Sequence, residues 1–209
     1  NEKIWTSEKI DRKTMQKLCK KFYYEKTISR INLFLKKDSK YKFPKTVNGK
    51  KILPLNKMIE KIPWEKLYDG IPAFIHGDLQ FQNILYNNKS KEFLFIDWRQ
   101  DFAGNIEFGD MYYDLAKLYG GLIMNYDYVM KDMYSYGKKG DAVNVSFKNW
   151  NNDKQYQKIL DNFIRKKGLD KRKIILLVGL IYINMSALHH YPFNNALMAF
   201  GSSIISEIL

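Results

Sequence analysis

The residues of this chain whose types could perform chemistry lie in the stretch AFIHGDLQFQNILYNN, residues 73–88, and in the apolar segment after it. His76 and Asp78 stand close together, and Asn83 follows Asp78 by five residues. Asp97 ends the later run EFLFID. A lone histidine proves little, so we interpret His76 as a structural residue that holds this loop.

The three remaining polar residues suit a metal-assisted reaction. If the segments that contain Asn83 and Asp97 pair as a hairpin, these two side chains meet at one end of it. Their oxygens fit Mg²⁺, which takes one or two protein ligands together with phosphate oxygens and water. Asp78 would then be free to accept or orient the proton of an attacking hydroxyl.

The order of these residues resembles the catalytic loop of protein-kinase-like phosphotransferases. The pieces are the tripeptide HGD at residues 76–78, the Asn83 that opens NIL, the Asp97 of FIDW, and GDMYYDLAKL at residues 109–118. In this form they look most similar to the family of aminoglycoside phosphotransferases and choline kinases. The matching motifs span residues 74–118, roughly a fifth of the chain.

The resemblance implies an enzyme that moves the γ-phosphoryl group of ATP or GTP to a hydroxyl of a small molecule. The acceptor could be a sugar, an aminoglycoside or an amino alcohol such as choline. Asp78 would be the catalytic base or the residue that orients the hydroxyl, and Asn83 and Asp97 would hold Mg²⁺. Asp110 and Asp114 would cap and brace the helix that follows the motifs.

The sequence predicts the residues of the acceptor pocket less clearly than those of the catalytic loop. The segment between Asp97 and Gly109 is longer than the family pattern, and its Arg99 could reshape the pocket or contact a phosphate. Asp101 and Glu107 could bind an amine-bearing acceptor or belong to a solvated loop. A box of aromatic residues could hold a cationic acceptor, although core packing is the better interpretation in so aromatic a chain. These residues are Trp98, Tyr112, Tyr113 and Trp150.

The resemblance also implies a part that the sequence does not contain. The family places a glycine-rich phosphate cover and a strand lysine before the catalytic loop. Residues 1–75 contain neither a G-x-G-x-x-G nor a Walker motif. We therefore expect the chain to be the larger, C-terminal lobe without its N-terminal lobe, and to be an excised or processed piece because it begins with Asn1.

Hydrophobic patterning before the motifs predicts two helices and a hairpin. Residues 7–37 carry the apolar stripe of an amphipathic helix, which Ser7 could cap. The Asn48-Gly49 pair predicts a small hairpin, and residues 55–62 predict a short helix that Pro63 ends. Short strands are predicted at residues 73–75, 84–86 and 92–97.

The chain after the motifs is predicted to be helical. One of these helices is expected over YDYVMKDMYSYG, which ends at Gly137. We therefore predict a mainly α fold with a small β-hairpin element, an α+β class, and with the resemblance a kinase-like C-terminal lobe over residues 1–209. Its parts are a catalytic loop at 74–86, a metal-binding strand end at 93–99 and a helical remainder at 109–209.

Composition limits the other functions. The net charge is +13, from 35 Lys and Arg against 22 Asp and Glu. The lysines are spread along the chain and only Arg12, Arg30, Arg99, Arg165 and Arg172 are arginines, so nucleic-acid binding is not expected. One cysteine fits a reducing compartment, and we expect a cytoplasmic protein. The longest apolar run, residues 174–185, is too short for a bilayer.

Two alternatives to an enzyme stay open at this stage. The first is a non-catalytic kinase-like module that binds a nucleotide or a partner; the presence of all three polar residues argues against it. The second is a basic nucleic-acid binder, which depends on charge alone. Binding that ignores Mg²⁺ and weakens steeply with salt would favour the second.

Overall fold

The computed structural model describes residues 4–7 and 9–209. About 51% of the chain is helical and 15% is strand, arranged in small sheets, so the predicted α+β class is confirmed. The predicted helix over residues 7–37 includes Glu8, which lies outside the described residues.

The helices before the motifs agree with the prediction in part: the first begins later, whereas the short helix from Leu55 begins where predicted. They are α1 (Arg12–Cys19), a π-helical segment (Lys20–Glu25), α2 (Lys26–Lys37), α3 (Leu55–Lys61) and α4 (Trp64–Tyr68). The prediction that Ser7 caps the first helix is wrong. The cap is Asp11, whose carboxylate accepts from the backbone N–H of Thr14 at 2.9 Å. Serine and aspartate cap equally well, but Ser7 is committed to a β-bridge with Ala73.

Strands occupy more of the chain than predicted. They are β1 (Thr46–Val47), β2 (Lys50–Lys51), β3 (Pro72–Ala73), β4 (Ile84–Asn87), β5 (Glu92–Phe95), β6 (Gly109–Asp110), β7 (Tyr134–Lys139) and β8 (Ala142–Phe147). They form a sheet in the order β2-β1-β8-β7 and two pairs, β3-β6 and β4-β5. The predicted Asn48-Gly49 hairpin and the antiparallel β4-β5 pair are confirmed.

Helices pack the core of the C-terminal half. They are α5 (Met111–Ile123), α6 (Tyr126–Val129), α7 (Asp153–Lys166), α8 (Lys171–Ser186) and α9 (Phe193–Ile208). α8 is buried among α9, α5 and α2, as its apolar sequence predicts. α8 and α9 cross at Gly179 and Gly201, where a Cβ on Gly201 would lie 2.7 Å from the carbonyl oxygen of Gly179. Only glycine permits that backbone approach.

The predicted helix that ends at Gly137 is wrong, and with it the fully helical remainder at 109–209. α6 stops at Val129, and β7 and β8 form an antiparallel hairpin with Gly140 at its turn, φ +59°. The reason is visible in β8, where Val143 and Val145 are buried and their neighbours are more exposed. This two-residue alternation of β-branched side chains is typical of a strand.

Candidate functional site

Asp110 anchors the frame of the candidate site at the start of α5. Its Oδ1 accepts from the backbone N–H of Tyr112 at 3.1 Å and of Ile71 at 2.9 Å. Its Oδ2 accepts from the Tyr23 hydroxyl at 2.8 Å, and Lys173 Nζ lies 3.9 Å away. The carboxylate is completely buried, so these partners compensate for its lost hydration. Asp110 therefore caps α5 and ties it to the segment that leads into the loop.

Asp114, one turn further along α5, fixes the backbone of the loop. Its two oxygens accept from the N–H groups of His76 at 2.8 Å and Gly77 at 2.7 Å, and Trp5 Nε1 donates at 3.1 Å. Burial raises the pKa of Asp114 to about 6, against these hydrogen bonds. Gly77 has φ +77°, and a Cβ there would lie 2.5 Å from the Arg99 Cβ. The sharp turn into Asp78 therefore requires glycine.

His76 joins the loop to the strand that follows it. Its Nδ1 accepts from the backbone N–H of Asp78 at 3.2 Å, so its Nε2 carries the proton and donates to the Ile96 carbonyl at 2.8 Å. The ring stacks on Trp98 with centroids 4.7 Å apart. Burial lowers the pKa of this imidazole, which favours the neutral form that the hydrogen bonds need. His76 therefore holds Asp78 and the end of β5 at a fixed separation.

Asn83 closes the loop on its other side. It ends a 3₁₀ turn, Phe81–Asn83, and its Nδ2 donates to the Asp78 carbonyl at 2.9 Å. The backbone carbonyl of Asn83 accepts from the N–H of Ile96 at 3.0 Å. Asp97 therefore follows directly after the end of the β4-β5 pair. The structure therefore joins Asn83 to Asp78 by a hydrogen bond, and Asp97 directly follows Ile96, the backbone partner of Asn83. That the Asp97 carboxylate meets the other two side chains stays a prediction.

The side-chain oxygens of Asn83 and Asp97 are of the types that a magnesium ion accepts. Because Asn83 Nδ2 donates to Asp78, its Oδ1 is the atom left for a metal. Asp97 is exposed and adopts φ +55°, a conformation that aspartate tolerates better than most residues. Over residues 4–7 and 9–209, no three His, Cys, Asp or Glu side chains are grouped to hold a metal ion on their own. Two oxygen ligands completed by phosphate and water are typical of Mg²⁺.

Lys117 is the charged residue at the candidate site that the sequence interpretation missed. Its Nζ lies 2.5 Å from Asp78 Oδ1, and its side chain is only 12% exposed. Burial opposes the charge of Lys117, yet Tyr113 and Asp78 raise its pKa above the ordinary value. A signal was present, because Lys117 follows Asp114 by three residues and thus shares a helix face with it.

A cleft of about 290 Å³ lies beside the loop and collects the predicted acceptor residues. Its lining includes Trp98, Arg99, Asp101, Glu107 and Gly77. Trp98 Nε1 donates to the carbonyl of Phe95 and Arg99 Nε to that of Asp101. Asp101 Oδ1 accepts from Gly104 N at 2.6 Å, whereas Glu107 is exposed. Arg99 and Glu107 are therefore the side chains of this group that have charge to offer a ligand.

Three of the four aromatic residues considered for a box, all except the cleft residue Trp98, pack against other rings or lie in the core. Tyr112 and Tyr113 are buried, and the ring of Tyr113 meets Phe22 edge to face at 4.8 Å. Trp150 packs near Phe81 at 6.1 Å. Their positions agree with the interpretation that favoured the core.

Comparisons with known proteins found no relative. No protein-family model matches the chain, and no curated protein and no solved structure matches it either. Within the described ranges, none of the helices combines the length and apolar character that a membrane span requires. Functional assignment therefore depends on the geometry of the site.

Proposed function

We propose that the chain is the larger lobe of a protein-kinase-like phosphotransferase, which transfers the γ-phosphoryl group of ATP or GTP to a hydroxyl of a small molecule. One observation carries the proposal: Asn83 donates to the Asp78 carbonyl, and its backbone carbonyl accepts from the N–H of Ile96, the residue before Asp97. In the proposed arrangement, a carboxylate for the hydroxyl and two oxygen ligands for Mg²⁺ lie on one wall.

Each residue has a role that its contacts support. Asp78 Oδ2 would accept a hydrogen bond from the hydroxyl of the substrate and orient that hydroxyl for attack. The Asn83 amide and the Asp97 carboxylate would hold the metal, which supplies the charge that neutralises the nucleotide phosphates. His76 and Asp114 contact the loop backbone, so they hold Asp78 in position without touching the reacting atoms.

The chain offers fewer groups for the nucleotide than for the metal. Residues 1–75 contain no glycine-rich phosphate motif. Positioning and charge neutralisation account for nearly all phosphoryl-transfer catalysis. We therefore propose that a smaller lobe supplies the phosphate cover, and expect the chain alone to bind Mg-nucleotide weakly and to turn over little.

A second candidate function is favoured by the Lys117 contact. Because Lys117 pairs with one oxygen of Asp78, it neutralises the carboxylate that should engage the hydroxyl. A kinase-like module that binds nucleotide without transferring phosphate would tolerate this pair permanently. Among the described contacts, Asp78 Oδ2 is approached only by Asn83 Nδ2, at 3.4 Å. The phosphotransferase requires that this one oxygen be enough to orient the acceptor hydroxyl.

The experiment is a transfer assay with labelled Mg-ATP or Mg-GTP and a panel of sugars, sugar phosphates, aminoglycosides and choline. Asp78→Asn should lower transfer by at least about 100-fold, the scale of a lost general base. Asp161→Asn is the matched control, because Asp161 pairs with Lys171 and its side chain is 32% exposed, against 33% for Asp78. Measurable transfer that is equal in wild type and Asp78→Asn would refute the catalytic role. Mg-dependent nucleotide binding without transfer, even when a small lobe is added, would establish the non-catalytic module.

A further inference from the structure

Two cations outside the proposed metal site gather over a single aromatic ring. Lys26 Nζ lies 3.9 Å from the centroid of the Phe22 ring, and the Arg99 guanidinium carbon lies 5.0 Å from the same centroid. Lys26 is partly buried and directly follows the π-helical segment that contains Phe22. π-helical turns occur often at functional sites. We refer to Lys26, Arg99 and Arg30, one turn after Lys26 on α2, as the Phe22 cations.

These charges have no carboxylate partner. Across the part of the chain that the structure describes, none of the three Phe22 cations forms an ion pair. Burial, then Arg99 and Arg30, lower the pKa of Lys26 to about 7. Lys117 also lowers this pKa, and Asp101 raises it by the smallest of these effects. Lys26 and Arg30 are partly buried, whereas Arg99 is exposed. A partly buried cation beside like charges is unfavourable unless an anion joins it.

The Phe22 cations adjoin the loop that carries Asp78. Lys26 Nζ is 5.9 Å from the ring of Tyr113, and Tyr113 precedes Lys117, the partner of Asp78, by one turn of α5. Arg99 also borders Gly77, since its Cβ lies 2.5 Å from where a Gly77 Cβ would be. A molecule that presents a hydroxyl to Asp78 therefore has positive charge on the side toward Phe22.

Arg99 further connects this group to the acceptor cleft. It lines the cleft together with Phe102, and the Phe102 ring stacks on Phe22 with centroids 4.1 Å apart. Two carboxylates of the cleft, Asp101 and Glu107, oppose part of this charge. Asp101 is engaged by Gly104 N, and Glu107 lies exposed.

We propose that the Phe22 cations bind a phosphate or carboxylate of the acceptor, so that the acceptor is an acidic hydroxyl compound such as a phosphorylated or acidic sugar. This identity of the acceptor rests on the proposed phosphotransferase function; the anion site itself does not. An aminoglycoside or choline would bring positive charge against Lys26 and Arg99. Both are therefore disfavoured as acceptors, because like charges at short range repel one another.

The test is calorimetric titration of the 209-residue chain, without nucleotide or Mg²⁺, with inorganic phosphate, glucose 6-phosphate, glucose and kanamycin. Glucose 6-phosphate should bind at least about tenfold more tightly than glucose, as expected for charge-assisted hydrogen bonds. Lys26→Gln and Arg99→Gln should each remove most of that preference. Lys13→Gln, an exposed charge on α1, is the control and should retain it.

Three outcomes would overturn the proposal. One is equal affinity for glucose 6-phosphate and glucose, and another is tighter binding of kanamycin than of glucose 6-phosphate. The third is a loss of Mg-ATP affinity in Lys26→Gln as large as the loss of glucose 6-phosphate affinity, which would assign the cations to the nucleotide. If anion binding holds while no Mg-nucleotide binds, the phosphotransferase proposal and the identity of the acceptor fail, and the anion site stands.

Discussion

Lys117 Nζ on α5 lies 2.5 Å from Asp78 Oδ1 on the loop, although the two residues are 39 positions apart. The lysine is nearly buried and the carboxylate is a third exposed. The pair therefore belongs neither to the weak surface ion pairs nor to the fully desolvated ones. The pair links α5, the helix that braces the loop, to Asp78.

We expect this pair to contribute about 1–2 kcal/mol of coupling, between the values typical of exposed and buried pairs. A double-mutant cycle with Lys117→Met and Asp78→Asn, measured by urea denaturation, gives the coupling directly. The Lys171–Asp161 pair, with Nζ and Oδ2 2.7 Å apart and the lysine 48% exposed, provides the comparison. It should couple by about 0.5 kcal/mol. Additive effects of the two substitutions would show that the Lys117 contact does not hold Asp78.

Gly77→Ala should destabilise the fold by about 2–4 kcal/mol, since it combines backbone strain with a steric clash. The strain comes from φ +77° and the clash from the Arg99 Cβ, 2.5 Å from the new methyl group. Gly140→Ala is the matched control: φ there is +59°, and the new methyl would have no described atom within 4 Å. It should cost about 1 kcal/mol, the strain alone. Equal costs for the two variants in thermal or urea unfolding would be incompatible with the packed turn.

Asp114 predicts a dependence of stability on pH. Its pKa is about 6 when folded and 3.8 ordinarily, so between these values the folded chain binds more protons than the unfolded chain. The contribution of Asp114 to stability therefore falls as pH rises from about 4 to about 6, and is constant above. Asp114→Asn should remove this part of the slope. Urea midpoints of both proteins at pH 4.5, 5.5 and 6.5 test this. Parallel curves would contradict the raised pKa.

Local sequence signals located the loop because its parts are close in the chain. The capping Asp110, the Asn48-Gly49 turn and the β4-β5 pair each follow from spacing over a few residues. The juxtaposition of Asn83 with Asp97 required only that two neighbouring strands pair. Such short-range geometry is fixed largely by turn chemistry and the two-residue period of strands.

Contacts between segments that are far apart in the chain could not be predicted from local sequence patterns. Lys26 is ordinary in a lysine-rich chain, and only tertiary packing places its Nζ 5.9 Å from the ring of Tyr113 on α5. Lys117 shares a face of α5 with Asp114, but its partner Asp78 lies 39 residues away. β8 pairs in parallel with β1, across 96 residues between Thr46 and Ala142. The segment before it was mistaken for helix because its tyrosines and methionines fit either period. Tertiary pairing, not local preference, decided it.

The central claim is that Asp97 is a ligand of nucleotide-bound Mg²⁺, and one titration tests it most directly. ATP and GTP affinity of the chain is measured by NMR or calorimetry with and without Mg²⁺, for wild type, Asp97→Asn and Asp132→Asn. Asp132 is the matched control because it too is exposed and has φ +55°. The account predicts that Mg²⁺ strengthens nucleotide binding in wild type and in Asp132→Asn, and that Asp97→Asn loses at least about tenfold of this Mg-dependent affinity, the scale of a lost charged ligand. Nucleotide binding that is independent of Mg²⁺, or is unchanged by Asp97→Asn, would contradict it.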